Sequence, residues 1–336
     1  MKLGNFSASF LDMDIPVAGY PVTVTREYDS RSRDKAGDFG YGWDMNLAGA
    51  TITVSGHPGK GWPISTKSGS FGMNTYYFNP SYPHQVSVNW GNGRVDKFDM
   101  TPNPNQQTIY KLEILNGIRY TALNGTKNRL EAVGGTGSFL ANGEAIMHTK
   151  DLSFYNPTRY ILTKPDGTKF YFDVTLGLYE IRDPQGNVIT IKKSGITHSD
   201  GQSIVFTRDT EGRITGITDS SGKTVSYQYD GRGDLVKVTD PAGYETGFVY
   251  DSDHFLTEII DPRGGTQSRN EYGDKGRLIA VVDARSNRTT ITSDPDNRLE
   301  TVTDRLGNST VYEFDNRGNI TRITDANGNV TRYTFD

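Results

Sequence analysis

The 336-residue chain reads as an all-β protein, its second half built from a repeat of about 21 residues with two strands per repeat. Three observations carry this reading. Asp209, Asp230 and Asp251 stand 21 apart; Gly273 takes the next place after one extra residue, and Asp294, Asp315 and Asp336 resume the step. A second ladder, Asp219, Asp240, Asp261, Asp283, Asp304 and Asp325, follows ten residues behind. Aromatic and β-branched residues alternate with polar ones before each rung of the first ladder. A repeat of one period dictates the architecture before any other reading.

Each element follows from its residues. Tyr227 and Tyr229, Phe248 and Tyr250, Tyr312 and Phe314, Tyr333 and Phe335 flank a single residue each, and that period of two predicts a half-buried strand. Three residues after the Asp come Gly212, Gly233, Gly276, Asn297 and Gly318, residue types that enter the left-handed region at little cost, which predicts a tight turn. His254 breaks that series, and its turn is expected to be distorted or of another type. The second strand carries apolar residues five and eight after the Asp: Ile214 and Ile217, Leu235 and Val238, Leu256 and Ile259, Leu299 and Val302, Ile320 and Ile323. These offsets have opposite parity, so either the strand is bulged between them or both of its faces are partly covered.

That strand ends in Asp240-Pro-Ala-Gly243, Asp261-Pro-Arg-Gly264, Asp304-Arg-Leu-Gly307 or Asp325-Ala-Asn-Gly328, a type I turn composition. The unit is therefore strand, turn, strand, turn. An earlier copy reads Phe172, Asp173, then Asp183-Pro-Gln-Gly186, and the stretch from Lys192 to Asp200 reads as a longer loop.

The Tyr-Asp steps, Tyr229-Asp230 and Tyr250-Asp251, with the Phe314-Asp315 variant and the Gly276-Arg277-Leu278 run, resemble Rhs/YD repeats. The front of the chain resembles the segment that precedes such repeats: Phe10-Leu-Asp-Met-Asp-Ile15-Pro, then Pro21-Val-Thr-Val-Thr-Arg26-Glu-Tyr28-Asp-Ser-Arg31, then Phe39-Gly-Tyr-Gly-Trp43. The resemblance covers about residues 1–62 and 161–336, which divides the chain into a β-rich pre-repeat region, 1–160, and the repeats, 161–336; residues 63–160 match no motif. It marks Trp43, Tyr229, Asp230, Gly233, Tyr250, Asp251, Gly276, Phe314, Asp315 and Gly318 as structural repeat positions. It implies a β-sheet that spirals into part of a hollow shell enclosing a polypeptide cargo, usually a toxin, in secreted or cell-surface bacterial proteins. The implied partners are the remaining repeats and C-terminal core of a longer protein, and the cargo. In such proteins the cargo is released by Asp-dependent self-cleavage at Asp-Pro-x-Gly-Leu-like motifs. Asp183, Asp240 and Asp261 begin similar motifs, but Asn187, Tyr244 and Gly265 follow where Leu belongs, so these read as turns without a catalytic role.

The remaining residues of the first part also read as β. Pro21 to Arg26 and Thr51 to Ser55 alternate, and Gly56-His-Pro-Gly59 is a turn. Thr101-Pro-Asn-Pro-Asn-Gln-Gln107 reads as a loop or linker and Ala132-Val-Gly-Gly-Thr-Gly137 as a flexible stretch; no helix of ten residues is evident. A 34% hydrophobic and 11% aromatic composition supplies a core, and 38 glycines suit thin sheets with many turns. A net charge of −4 with no extended Lys/Arg cluster excludes a nucleic-acid partner by this reading. The lack of cysteine excludes disulfides and thiolate metal sites. No run reaches the roughly 20 apolar residues of a membrane helix, and the first residues lack the apolar run of a signal peptide. Ending at Phe335-Asp336 in mid-unit, the chain reads as a fragment, with its last strand, 329–336, an open sheet edge.

Candidates for chemistry are few. His57, His84, His148, His198 and His254 show no metal spacing and read as loop or surface residues. His198-Ser199-Asp200 is too contiguous for a relay, and turn Asp residues read as binding their own backbone rather than Ca²⁺. No cofactor, metal or enzymatic activity is expected. The aromatic column Tyr227, Tyr229, Phe248, Tyr250, Tyr272, Tyr312, Phe314, Tyr333 and Phe335 is expected to stack from strand to strand. The functional reading is a structural shell segment; the alternative is an adhesin binding glycans through exposed Trp62, Trp90 and Tyr82.

Overall fold

A computed structural model describes residues 4–45, 49–90, 94–123, 125–316 and 318–334. The rungs at Phe335 and Asp336, and the last two residues of the open-edge strand, lie outside the described residues. The protein is almost entirely β, with only two three-residue 3-10 turns, Ser30–Ser32 and Ser70–Gly72, among the described residues. Its contacts gather two compact units: Met1–Ile15, Thr23–Met45 and Ser203–Asp336 form the first, Pro16–Val22 and Asn46–Gln202 the second. The sequence division at 160/161 marks where the repeat motif begins and remains a proposal about domains.

In the first unit, thirteen strands from Ser203–Arg208 to Val330–Arg332 pair antiparallel in simple succession. Both Asp ladders make one kind of turn. Asp230 N–H donates to the Asp234 carbonyl at 3.0 Å, Gly233 N–H donates to the Asp230 carbonyl at 3.1 Å, and Gly233 is left-handed at φ +90. The Asp230 carboxylate accepts the N–H groups of Arg232 and Asp234, each at 2.9 Å. This is a type I turn closed by a left-handed residue, a short hairpin loop whose twist suits the flanking strands. Asp240 and Asp261 accept main-chain N–H groups in the same way, which is the turn role read from their sequence.

The parity question resolves as a bulge. Gln228 faces Lys237 while Tyr229 faces Leu235, so Val236 is an extra residue between offsets five and eight. Leu235 and Val238 then both point inward, at 0% and 6% exposure. The same shift precedes Ile214, Leu256, Leu278 and Ile320. The extra residue of the longer unit is also accommodated by a register shift, with Ile259 facing Ser268 and Ile260 facing Thr266.

Two turns differ from expectation. His254 keeps the turn type, taking the glycine place at φ +64, with its N–H 3.4 Å from the Asp251 carbonyl. The left-handed backbone is held by its side chain: Nδ1 lies 2.7 Å from the buried Asp234 carboxylate and the ring stacks on Tyr41 at 4.1 Å. At the Asp294 turn the left-handed residue is Arg298 rather than Asn297, and Asp294 pairs directly with Leu299 without a bulge. There Leu299 and Val302 do lie on opposite faces, and Glu300 is the buried residue, at 5% exposure.

The second unit holds an antiparallel six-stranded sheet of Thr51–Val54, Gln85–Asn89, Val95–Asn103, Ile114–Ala122, Thr136–Asn142 and Ala145–His148. A three-stranded sheet contains Ile64–Ser68, Asn74–Phe78 and Gln106–Thr108. Arg129–Ala132 and five successive strands, Arg159–Thr163 to Gly195–His198, form a third array. The residues that matched no motif are thus ordinary strands.

Three loop readings are corrected here. Residues 192–200 contain the strand Gly195–His198, paired with Val188–Lys192 through a two-residue turn. Thr101 to Asn103 complete a strand and Gln106 begins another, leaving only two residues between them. Ala132 ends one strand and Thr136 begins the next, with Gly135 N–H donating to the Ala132 carbonyl at 3.0 Å. In each case polar and glycine residues fill paired strands, because register with a neighbour outweighs weak strand propensity.

Candidate functional site

The pre-repeat segment supplies a three-stranded sheet, Ser7–Ile15, Val22–Asp29 and Trp43–Met45, that covers the inner face of the early repeats within the first unit. Period-two alternation puts Val24, Arg26 and Tyr28 on one buried face, so the signal for a buried arginine was present in the strand pattern. Arg26 pairs with Asp12 through two bonds of 2.9 and 3.2 Å, and Tyr227 donates its hydroxyl to the same carboxylate at 2.8 Å. Trp43 sits among Phe10, Tyr28 and Phe248, and its indole N–H donates to the Tyr250 hydroxyl at 2.6 Å. Gly40 is a glycine by necessity: it is left-handed at φ +89, and a Cβ there would lie 2.5 Å from the Gly233 carbonyl.

The bulges organise this contact. A bulge takes one residue's N–H and C=O out of the strand ladder, and buried groups of that kind need partners. The bulge N–H groups of Ile214, Leu256 and Leu278 donate to the Asp38 carbonyl at 2.8 Å, the Tyr28 hydroxyl at 2.9 Å and the Gly4 carbonyl at 2.9 Å. All three acceptors belong to the pre-repeat segment. The bulge carbonyls are taken by the tyrosine of the following repeat: Tyr229 donates to Ile214, Tyr250 to Leu235 at 2.9 Å and Tyr272 to Leu256 at 3.1 Å. The unit before Phe314 has no bulge, and a ring without a hydroxyl serves there; Phe314 is 7% exposed and its N–H donates to the Arg298 carbonyl.

The repeat positions marked in the sequence fall as follows. Asp230, Asp251 and Asp315 cap turns, with Asp315 accepting both the main-chain and side-chain amides of Asn319. Gly233, Gly276 and Gly318 are left-handed. Tyr229 and Tyr250 bridge repeats, and Trp43 is fully buried. The aromatic column does not stack on itself among the described residues. Its rings meet the pre-repeat segment instead: Phe39 on Tyr227 at 4.8 Å, Phe10 and Trp43 on Phe248, Tyr28 on Tyr250. Tyr333, at 44%, is exposed. What sequence reasoning missed were Asp12, Asp38 and Gly4, whose partners in the repeats lie at least 170 positions away in the chain.

Replacing Tyr250 with Phe should cost about 1–3 kcal/mol, because it leaves the Leu235 carbonyl and the Trp43 N–H without their partner. Urea unfolding measures this; a loss equal to that of a surface Tyr→Phe control would show that the bridge contributes nothing.

The catalytic and metal readings find no geometry among the described residues. No cluster of three His, Cys, Asp or Glu side chains is present among them. His198 and Asp200 do pair, at 2.8 Å, but the Ser199 hydroxyl accepts the Val188 N–H and takes no part. His84 and His198 are buried, not surface residues; His84 stacks on Trp62 at 3.9 Å. Trp62 and Trp90 are also buried, at 2% and 5% exposure, so neither presents a ring to a glycan.

Some of the turn carboxylates are held away from their ordinary range. Hydrogen bonds from the side chains and main chain of Asn287, Asn308 and Asn329 hold Asp283, Asp304 and Asp325 below the usual carboxylate range. Each folded pKa lies below its unfolded value of about 3.9, so acid loads protons preferentially onto the unfolded chain. The contribution of these three carboxylates to stability should be level near neutrality and fall as pH drops below about 4. Melting temperatures from pH 7 to 3 test this, and Asp304→Asn should blunt the fall; a midpoint that rises in acid would contradict it.

The fold and its bonds define a β-repeat protein in which each bulged hairpin is bridged to the next and to a pre-repeat segment. The RHS Repeat family model matches residues 208–245, 229–266, 294–330 and 314–336, so the chain carries Rhs repeats over those residues. Among solved structures it is similar to a TcdB2-TccC3 assembly without its hypervariable C-terminal region, at 12% identity over 79% of this chain and 17% of that one, with a TM-score of 0.31. It is similar also to a Tc holotoxin pore of Photorhabdus luminescens, at 12% identity over 96% of this chain and 21% of that one, again with a TM-score of 0.31. The chain thus spans 17–21% of the length of those chains. A search of curated protein sequences returned no match.

Proposed function

We propose that this chain is part of the wall of a β-shell that encloses a polypeptide cargo, usually a toxin, in a longer secreted or cell-surface bacterial protein. The observation that supports this most is the Rhs repeat itself, realised as successive bulged hairpins locked to a pre-repeat segment by main-chain bonds at Asp38 and Gly4. Such an array propagates by adding identical units, each stabilised by its neighbours. The repeat positions named above serve turns, bridges and packing, which supports a structural role for the wall. No helix among the described residues is long and apolar enough to cross a membrane. The burial of Trp62 and Trp90 weighs against the glycan-binding alternative, for which Tyr82, half-buried, is the remaining named ring.

Limited proteolysis of the longer protein, carrying this chain and its C-terminal segment, tests the reading. The C-terminal segment should resist protease while the shell is intact and be digested at the rate of the free segment once the wall is destabilised. Digestion at the free rate in both cases would overturn it.

A further inference from the structure

The three-stranded sheet of the second unit, Ile64–Ser68, Asn74–Phe78 and Gln106–Thr108, holds no buried residue in any of its strands. A small sheet without a core of its own depends on what it packs against. One end is anchored: the Phe78 ring meets Trp62 edge-on at 5.9 Å, and the Asn79 N–H donates to the Pro63 carbonyl at 2.9 Å. The other end is apolar and open. Phe71, in the turn between the first two strands, is 98% exposed, and Met73, Ile109 and Tyr110 are 47%, 59% and 70% exposed. The Ile109 N–H donates to the Asn74 carbonyl at 2.8 Å, which brings Ile109 and Tyr110 to the end that carries Phe71 and Met73. Phe71 and Ile109 are both left-handed, at φ +57 and +77, a backbone that large and β-branched residues avoid. The tip is built rather than frayed. The Met73 carbonyl accepts the Gly69 N–H at 2.9 Å, and Leu112, two residues after Tyr110, is fully buried.

We propose that this tip, formed by Phe71, Met73, Ile109 and Tyr110, inserts into the surface of an anionic lipid bilayer, with Lys67 and Lys111 at the level of the phosphates. Exposed apolar side chains gathered at one point mark an interaction site. Charge selects the partner. From Ile64 to Phe78 and from Gln106 to Leu112 the only charged residues are Lys67 and Lys111, both exposed, although the whole chain carries −4. Glu113, next along the chain, is tied into the six-stranded sheet, where its carbonyl accepts the Ala141 N–H at 2.8 Å. A bilayer surface takes an apolar tip without needing a matching shape. It also gives aromatic rings and a phenol the interface they favour, and meets long basic side chains with phosphate. The proposal stands whether or not the wall belongs to a shell.

The full chain has no cysteine, so one introduced thiol carries a probe at a single site. Ser70→Cys, labelled with a polarity-sensitive dye, should shift to the blue with vesicles of phosphatidylglycerol and phosphatidylcholine in equal parts, and brominated lipid should quench it. Ser252→Cys, in an exposed turn of the repeats, should show neither effect. Sedimentation with the same vesicles measures binding of the unlabelled chain. Phe71→Ser changes a residue that packs on almost nothing, and should lower binding about tenfold, the scale of one large apolar side chain leaving the membrane. Lys67→Gln should lower it about fivefold, and high salt should weaken it as well. No binding to these vesicles, equal binding to phosphatidylcholine alone, binding unchanged by Phe71→Ser, or an equal shift at Ser252 would each overturn the proposal. So would a blue shift at Ser70 without lipid: one that grows with protein concentration would make the tip a contact between copies, and one complete in the longer protein would make it an internal contact.

Discussion

Arg26→Ala should destabilise the first unit by about 3–5 kcal/mol, the scale seen when one partner of a buried ion pair is removed. The Arg26 side chain is 1% exposed and that of Asp12 6%, so neither charge has water to fall back on. The guanidinium lies 4.5 Å from the Trp43 ring centroid, 4.8 Å from Phe10 and 5.2 Å from Phe248, and its Nη1 makes no hydrogen bond. That orphaned nitrogen shows that the pair is not an optimal stabiliser; its removal costs because Asp12 and the Tyr227 hydroxyl are left facing an apolar cage. Asp12→Ala should cost a similar amount, and the double variant clearly less than the sum of the two, since no charge is then stranded. Equilibrium urea unfolding of the three variants measures this. Additive losses, or a single-variant loss below about 1 kcal/mol, would show that the pair is solvated in practice.

Trp43→Ala should cost about 3–5 kcal/mol, as for other fully buried large rings. Trp43 is 0% exposed and touches the rings of Phe10, Tyr28 and Phe248. Removing it opens a cavity between the pre-repeat sheet and the repeats and frees the Tyr250 hydroxyl from its donor. Trp43→Phe separates the two effects. It keeps most of the packing and loses the N–H, so a smaller loss of about 1–3 kcal/mol is expected. Thermal unfolding followed by tryptophan-independent circular dichroism reads both. If Trp43→Ala melts within a degree or two of the parent, the pre-repeat sheet is not coupled to the repeats as the contacts indicate.

The repeat, its turns and its strands were legible in the sequence because they are local. An Asp and a Gly three residues on encode a hairpin loop whatever surrounds them, and both ladders fold as that spacing predicts. The bulge was legible only as one of two options: offsets of five and eight announced a parity conflict, and the pairing of Tyr229 with Leu235 settled it. The exceptions were decided by neighbours. His254 stays left-handed because Asp234 and Tyr41 hold its ring, and the Asp294 turn closes at Arg298, which removes the bulge and turns Glu300 inward. Trp62 and Trp90 lie among Gly, Pro and Asn and so read as exposed, yet strands remote in sequence bury them. Where the pre-repeat segment docks was not in the sequence pattern at all. Asp38, Tyr28 and Gly4 meet Ile214, Leu256 and Leu278 through main-chain N–H and carbonyl groups or a single phenol, and main-chain groups are the same in every residue. Local turn chemistry is written in side chains and can be read one unit at a time; the match of an orphaned amide to a distant carbonyl has no side-chain signature, and only the folded chain brings the two together.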